Sequence, residues 1–233
     1  MYLDWTYIVL VLPAVLLSIW ASNRVNSTFK HYNKVYNRRG LTGAQAARFV
    51  LDRNGLQDIR IEHISGELTD HFDPQNRVIR LSDGVYNSAS CAAVGVACHE
   101  AGHAVQHAVN YAPIKIRAAI IPITNFGAKL SMPLLLLGLL LSAFSPAFNI
   151  LVYAGLICFG LSTLFQLVTL PTEFDASKRA LQVIEGSNLL YGEEYEGAKK
   201  VLSAAALTYV AALAVSFMQL LRFILLFAPR NND

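Results

Sequence analysis

The chain has 233 residues, of which 54% are hydrophobic and only 15% carry a charged side chain. An ordinary soluble domain has roughly 25% charged residues, so this composition excludes that class and indicates a membrane protein. The formal net charge of +3 is too small to indicate a nucleic-acid partner. The cysteines are three in number and form no CxxC pair. We interpret Cys91, Cys98 and Cys158 as small buried residues and not as a disulfide framework.

The first element is an apolar run over residues 5–22, which is long enough to cross a bilayer as a helix. A cleaved signal peptide normally begins with positive charge. Here Asp4 precedes the run, and no Lys or Arg does. We therefore predict that residues 1–22 form an uncleaved transmembrane anchor.

Residues 23–131 are mixed polar and apolar, as in a soluble domain. Thr42 and Gln45 have the spacing of a capping box, which predicts the start of a helix that Gly55 ends. The last part of this region, residues 113–131, either lies along the membrane interface or extends the helix that follows.

Two short runs of β-forming residues lie at 59–64 and 77–82, and they predict a small β-hairpin or sheet. Ser88 or Ser90 then caps a long helix that is rich in Ala and Val. Together with the preceding helix, these elements predict a small α+β domain.

The second half of the chain contains two apolar runs, 132–148 and 149–170, which are joined by a short turn. Their lengths predict a transmembrane helical hairpin. We therefore expect a mostly α membrane protein. Its predicted parts are an anchor at 1–22, an α+β region at 23–131, a hairpin at 132–170, a cytoplasmic helix at 171–200, and a transmembrane helix with a tail at 201–233.

Positive charge is unevenly distributed among the segments between the apolar runs. Lys and Arg concentrate in the cytoplasmic loops of membrane proteins. Residues 1–4 and 144–149 contain neither, and Arg230 in the tail is a mild exception. We therefore expect a multi-pass protein of the cell membrane whose segments 23–131 and 171–200 face the cytoplasm. The cations that favour this orientation are Arg24, Lys30, Lys34, Arg38, Arg39, Lys178, Arg179, Lys199 and Lys200.

The Ala/Val-rich helix contains the motif HExxH, with His99 and His103 as its histidines and Glu100 as its glutamate. The histidines lie one helical turn apart on one face, so both imidazoles can bind one zinc ion. Glu100 lies beside them, where it can take a proton from a water molecule and pass it to a leaving amine. The apolar flanking residues indicate burial, which is costly for His and Glu without a partner. We therefore predict one zinc ion per chain in a zincin-like domain.

A catalytic zinc ion normally has three protein ligands. His107 is a poor third ligand, because His99 and His107 would lie about 12 Å apart along one straight helix. The metzincin pattern requires a histidine six residues after His103, and that position is Val109. Cys98 points about 100° away from His99 around the helix. We expect His107 to support or pack against the site.

A carboxylate from a second helix is the alternative third ligand. Glu173 is the best candidate, because it follows the hairpin on the predicted cytoplasmic side, and Asp175 is its rival. Pro171 and Thr172 are expected to start a new helical turn there. The residues alone leave the choice between Glu173 and Asp175 open. Four further carboxylates lie in a more polar stretch, namely Glu185, Glu193, Glu194 and Glu196.

Three stretches of the chain together, VACHEAGHAVQHA, LPTEFDASKRAL and LTDHFDP with VIRLS, closely resemble the YugP-type neutral zinc metallopeptidases of bacterial membranes. The resemblance covers nearly the whole chain and includes the order of the membrane spans. It implies a site in which His99, His103 and Glu173 bind zinc and Glu100 is the catalytic carboxylate.

A looser resemblance connects the chain to the HtpX-like membrane proteases, whose glutamate motif reads E-[FY]-x-A-D. Glu173, Phe174 and Ala176 fit this motif, but Ser177 occupies the position of the final aspartate. In those relatives that aspartate helps to orient the zinc ligands. The sequence therefore raises the question of which residues orient the imidazoles here, and Asp175 is no simple substitute.

Several other residues have open roles at this stage. The run 77–82 is either an edge strand that holds an extended peptide or a plain hairpin strand over the active helix. His71 and Asp73 either support the site or cap a turn. The candidate donors to the reaction's oxyanion are Arg179, Tyr191, Tyr195 and His71.

We interpret the chain as a zinc metalloendopeptidase that cleaves peptides or membrane proteins at the cytoplasmic surface of the bilayer. A catalytically silent zinc-binding scaffold is the alternative, although a scaffold has no need of Glu100. A transporter is disfavoured, because residues 132–170 contain no Asp, Glu, Lys, Arg or His. The expected partners are the substrate and the lipid bilayer, without nucleic acid, and the oligomeric state is left open.

Overall fold

The computed structural model describes residues 4–227, and most of them are helical. The prediction of a mostly α membrane protein with a small sheet is confirmed. Within the described residues, a π-helical turn at Tyr7–Val11 leads into the first helix. The helices are α1 Leu12–Tyr32, α2 Gly43–Arg53, α3 Cys91–Ala108, α4 Ala112–Ser142, α5 Asn149–Gly186 and α6 Glu193–Phe227, and the strands are β1 Arg60–His63, β2 His71–Asp73 and β3 Val78–Leu81.

Among residues 4–227, four helical segments are long and apolar enough to span a membrane. They correspond to the anchor, the two arms of the hairpin and the C-terminal helix of the prediction. The boundaries that we placed at residues 22, 131, 170 and 200 fall inside helices, which continue through them. The last part of the predicted tail, residues 228–233 with Arg230, lies outside the described residues. The four segments are Tyr7–Tyr32, Ala112–Ser142, Pro146–Gly186 and Glu193–Phe227.

The chain divides into two compact units. The first unit comprises the residues up to Trp20, Ile116–Leu170 and the residues from Tyr209 onward, and the second comprises Ala21–Lys115 and Pro171–Thr208. The first unit carries many large apolar side chains on its surface, among them Leu140 and Ile150. Exposed apolar side chains of this kind are favourable against lipid and unfavourable against water, so this surface suits a bilayer.

Small residues allow close contacts between the helices of the first unit. A Cβ atom on Gly138 would lie 2.7 Å from the backbone nitrogen of Val152, so α4 and α5 approach closely at this glycine. The side chains of Thr163 and Ser216 form a hydrogen bond of 2.7 Å between α5 and α6. The helix α4 is continuous from residue 112, so residues 113–131 extend the first arm of the hairpin, which was one of our two alternatives.

The second unit begins with the elements that local sequence signals predict best. The hydroxyl of Thr42 accepts a hydrogen bond from the backbone N–H of Gln45, and the Gln45 side chain caps the Thr42 N–H in return. The predicted capping box at the start of α2 is therefore confirmed. Gly55 follows the helix with a φ of +73°, which suits a glycine at a helix end.

The three strands form one mixed sheet in the order β1-β3-β2. The two predicted runs, β1 and β3, pair in parallel, and the hairpin consists of the short strand β2 with β3. Our suggestion that residues 77–82 form an edge strand for a peptide is wrong, because β3 is the central strand and has a neighbour on both sides. The free edges belong to β1 and β2.

Helix α3 forms the centre of the second unit. Ser90 is its N-cap, because the Ser90 hydroxyl accepts a hydrogen bond of 3.0 Å from the backbone N–H of Ala93. This settles the choice between Ser88 and Ser90. The small residues of α3 are almost all buried, in a core that also contains residues of α2, the sheet, and the parts of α5 and α6 that belong to the second unit. Helix α5 continues through Pro171, so the new helical turn that we expected at Pro171 and Thr172 does not occur.

Candidate metal centre

The HExxH motif lies in the second half of α3, where it presents two imidazoles on one helical face. The ring centroids of His99 and His103 are 4.7 Å apart, and the ring planes are nearly perpendicular. Glu100 follows His99 directly and is buried, with 8% of its surface exposed. The arrangement follows from the i, i+4 spacing, which stacks the two histidines one turn apart.

Glu173 comes to the same point from α5. Its Oε2 lies 3.5 Å from Nε2 of His99 and 3.6 Å from Nε2 of His103. One donor atom from each of these three residues can be chosen so that all lie within 4.8 Å of one another. The structure thus brings together the three residues that the sequence and the family resemblance nominated as ligands.

A glycine allows α3 and α5 to approach each other at this site. A Cβ atom on Gly102 would lie 2.8 Å from the backbone oxygen of Ala176, which is closer than real Cβ atoms come to such a group. Gly102 is the residue between Glu100 and His103 that faces α5. The absence of a side chain at Gly102 therefore sets how near Glu173 can come to the two imidazoles.

The local electrostatics favour a cation between these side chains. Burial alone would lower the pKa of His103, but the hydrogen bond to Glu173 and the charges of Glu100 and Glu173 outweigh it. The pKa of His103 is therefore raised above its ordinary value of 6.5. Negative charge around the imidazoles stabilises a proton when no metal is bound, and it would stabilise a metal ion in the same way.

The donor set fits zinc. Two imidazole nitrogens and one carboxylate oxygen are the ligands of a common class of catalytic zinc sites, which leave a fourth position for water or substrate. Imidazole-rich sites favour zinc over hard cations such as magnesium and calcium. His99, His103 and Glu173 would hold the ion.

Asp175, the rival ligand, is engaged elsewhere. Its Oδ2 accepts a hydrogen bond of 2.8 Å from the side-chain amide of Gln106 and one of 2.5 Å from Nε of Arg179. Asp175 therefore supports the site through Gln106.

Gln106 and Ser177 orient the two imidazoles, and sequence reasoning did not assign either role. Oε1 of Gln106 lies 3.0 Å from Nδ1 of His103, and the Ser177 hydroxyl lies 3.0 Å from Nδ1 of His99. The helical spacing could have indicated both roles. Gln106 lies three residues after His103 and Ser177 lies four residues after Glu173, so each shares a helical face with a candidate ligand. Ser177 thus contacts the candidate ligand His99 from the position at which the HtpX-like motif has aspartate.

Cys98 and His107 are not among the three residues whose donor atoms come together. Burial raises the pKa of the Cys98 thiol to about 12, which disfavours the thiolate that binds metal. The His107 ring makes an edge contact with Phe72 of β2, with centroids 5.4 Å apart. Of the two roles that we considered for His107, this contact shows packing, against the sheet.

Asp73 caps the turn between β2 and β3. Its carboxylate accepts hydrogen bonds from the backbone N–H groups of Gln75 and Asn76 and from the guanidinium of Arg80. The bonds to Asn76 and Arg80 hold the pKa of Asp73 well below its usual range. Of our two alternatives for Asp73, the structure shows the turn cap. His71 contacts the backbone oxygen of Thr69 through Nδ1 at 2.8 Å.

Three of the residues that we considered as donors to an oxyanion have other surroundings. Arg179 binds Asp175, and its guanidinium carbon lies 5.7 Å from the ring centroid of Tyr111. Tyr191 and Tyr195 line a cavity of about 910 Å³ whose walls include neither Glu173 nor any residue of the HExxH motif. The structure does not single out any of them for this role.

Comparison with known proteins agrees with the geometry. A family model described as "Putative neutral zinc metallopeptidase" matches residues 7–228. The chain is 46% identical over 227 residues to a protein of Bacillus subtilis (strain 168) named "Putative membrane protease YugP". This match covers 97% of the chain and 99% of the relative. No solved structure matches the chain significantly.

Proposed function

Because this chain belongs to the neutral zinc metallopeptidase family, we propose that it is a zinc-dependent endopeptidase of the cell membrane that cleaves peptide bonds at the cytoplasmic surface. The observation that carries the proposal is the convergence of His99 and His103 with Glu173, which comes from a distant part of the chain. Three candidate ligands near Glu100, which the motif assigns to proton transfer, support a metal-dependent hydrolysis.

In the proposed mechanism the bound ion acts as a Lewis acid and Glu100 transfers the proton. When bound, zinc supplies Lewis-acid activation of a water molecule and of the scissile carbonyl. Glu100 accepts a proton from the attacking water and delivers it to the leaving amine. Burial of Glu100 excludes bulk water from the carboxylate, which keeps the proton on the reaction path.

The distribution of charge supports a cytoplasmic site. The segment after the first span and the segment 171–200 are both rich in Lys and Arg, and residues 144–149 contain neither. Glu173 also follows the apolar run 149–170 closely in the sequence. We propose membrane-associated polypeptides as the substrate class, because a site close to the membrane surface can reach them.

The variant Glu100→Gln tests the mechanism. This amide keeps the shape of the side chain but cannot accept the proton, so we expect peptide cleavage to fall by at least about 100-fold. Zinc content should stay at one ion per chain, because Glu100 is not a ligand. The assay uses purified full-length protein, a library of quenched fluorescent peptides, and parallel reactions with chelator.

Glu67→Gln is the matched control, because Glu67 is exposed on a loop of the same unit. This variant should cleave as the wild type does. Equal cleavage by Glu100→Gln and the wild type would contradict the mechanism. Zinc binding without cleavage of any peptide by the wild type would favour the silent scaffold.

A further inference from the structure

We propose that Gln106 is a positioning residue that fixes the tautomer of His103, so that Nε2 of His103 always presents its lone pair to the zinc ion. This inference rests on the proposed zinc site. Gln106 is completely buried, and its side-chain amide makes three hydrogen bonds. A buried amide with three partners can adopt only the orientation that all of them accept.

Two of the partners determine which way the amide points. Nε2 of Gln106 lies 2.8 Å from the backbone oxygen of Thr172 and 2.8 Å from Oδ2 of Asp175. Both partners accept hydrogen bonds, and a backbone carbonyl cannot donate one. The NH₂ group of Gln106 must therefore face α5, and its carbonyl oxygen must face His103.

The orientation of the amide then determines the position of the imidazole proton. Oε1 of Gln106 lies 3.0 Å from Nδ1 of His103, and a carbonyl oxygen can only accept. Nδ1 of His103 must therefore carry a proton, which leaves Nε2 as the nitrogen that can bind zinc. That nitrogen is the one that lies 3.6 Å from Glu173.

Arg179 holds the acceptor that anchors this network. Its Nε donates to the same Oδ2 of Asp175 that accepts from Gln106. The guanidinium also lies against the ring of Tyr111, which limits its freedom to move. The order of contacts is therefore Arg179 to Asp175, Asp175 to Gln106, and Gln106 to His103.

His99 has a different kind of support. Its Nδ1 contacts the hydroxyl of Ser177 at 3.0 Å. A hydroxyl can donate or accept, so Ser177 orients the ring but does not select its tautomer. The network therefore predicts unequal effects of substitution, with Gln106 more important for zinc binding than Ser177.

The first test measures zinc affinity by competition with a chelator in full-length protein. Gln106→Met keeps the length of the side chain but removes all three hydrogen bonds, and we expect zinc affinity to fall about 10- to 100-fold. Ser177→Ala should lower it less. Gln57→Met is the matched control at an exposed position of the same unit and should bind as the wild type does.

The second test examines the wild type directly, so it does not depend on whether Gln106→Met folds. Histidine-selective ¹⁵N NMR of the zinc-loaded protein reports which ring nitrogen of His103 carries hydrogen and which one binds the metal. A proton on Nδ1 supports the inference, and a proton on Nε2 overturns it.

The two proposals fail in different ways. Unchanged zinc affinity in Gln106→Met would overturn the role of Gln106 and leave the endopeptidase proposal intact. A wild type that cleaves no peptide would overturn the endopeptidase proposal, whereas the loss of zinc affinity in Gln106→Met would still be observed.

Discussion

Gly102 and Ala176 mark the point where α3 and α5 are so close that a single methyl group would not fit. A Cβ atom on Gly102 would lie 2.8 Å from the backbone oxygen of Ala176 and 3.3 Å from its Cα atom. Backbone atoms of a helix cannot move aside as a flexible side chain can. The distance between the helices, and with it the distance between Glu173 and the two imidazoles, therefore depends on this glycine.

The substitution Gly102→Ala should push the two helices apart. Overpacking of this kind costs about 1–3 kcal/mol. We expect zinc affinity to fall by about tenfold or more, because a metal ion tolerates only small errors in ligand distance. Chelator competition measures the affinity, and thermal unfolding with and without zinc measures the stability.

Gly186→Ala is the control for this prediction. A Cβ atom on Gly186 would have no other atom within 4 Å. Zinc affinity in this variant should equal that of the wild type. If Gly102→Ala bound zinc as tightly as Gly186→Ala does, the close contact would not control the geometry of the site.

The raised pKa of His103 predicts that zinc affinity depends on pH. Zinc binds the neutral imidazole, so below the raised pKa it must displace a proton. Affinity should therefore rise by about tenfold per pH unit for one displaced proton and level off above that pKa. Titrations that start at about pH 6 and continue upward until the affinity levels off measure the slope. An affinity that does not change over this range would contradict the prediction.

The same shift has the opposite effect on the zinc-free chain. The pKa of His103 is raised in the folded state above its ordinary value of 6.5. Its contribution to stability is therefore fully present below about 6.5 and is lost as the pH rises through the raised value. Thermal unfolding of the chelated protein should show this contribution, and His103→Gln should abolish it.

Asp4 and Arg222 connect the two ends of the chain within the first unit. A guanidinium nitrogen of Arg222 lies 3.0 Å from Oδ2 of Asp4, and the Arg222 side chain is buried against Tyr7. Arg222→Ala should lower the melting temperature of the solubilised protein by several degrees. Adding Asp4→Ala to this variant should cause little further loss, because the two residues act as a pair.

Lys129→Ala is the control for the ion pair, since Lys129 is an exposed cation of the same unit. Its melting temperature should match that of the wild type. Independent, additive losses for Arg222→Ala and Asp4→Ala would contradict the pairing.

The sequence predicted most reliably what short-range chemistry determines. The capping box at Thr42, the helical spacing of His99 and His103, and the presence of four apolar segments all depend on residues within a few turns of each other. Patterns of this kind act through local geometry, so contacts with distant parts of the chain do not override them.

The sequence predicted less well what depends on distant partners. The strand β2 has three residues and little pattern of its own, so the sequence did not reveal that β3 is central. Pro171 suggested a helix start, yet the helix continues through it. The sequence assigned no role to Gln106, because its partners Thr172 and Asp175 lie far away in the chain.

The central claim is that one zinc ion is bound jointly by α3 and α5, and metal analysis of Glu173→Ala tests it most directly. The wild type should contain one zinc ion per chain, and Glu173→Ala should contain almost none after dialysis against a weak chelator. Glu185→Ala, which changes an exposed glutamate of the same helix, should keep its zinc. If Glu173→Ala kept a full zinc ion with wild-type affinity, the carboxylate of Glu173 would not be a ligand and the account would be wrong.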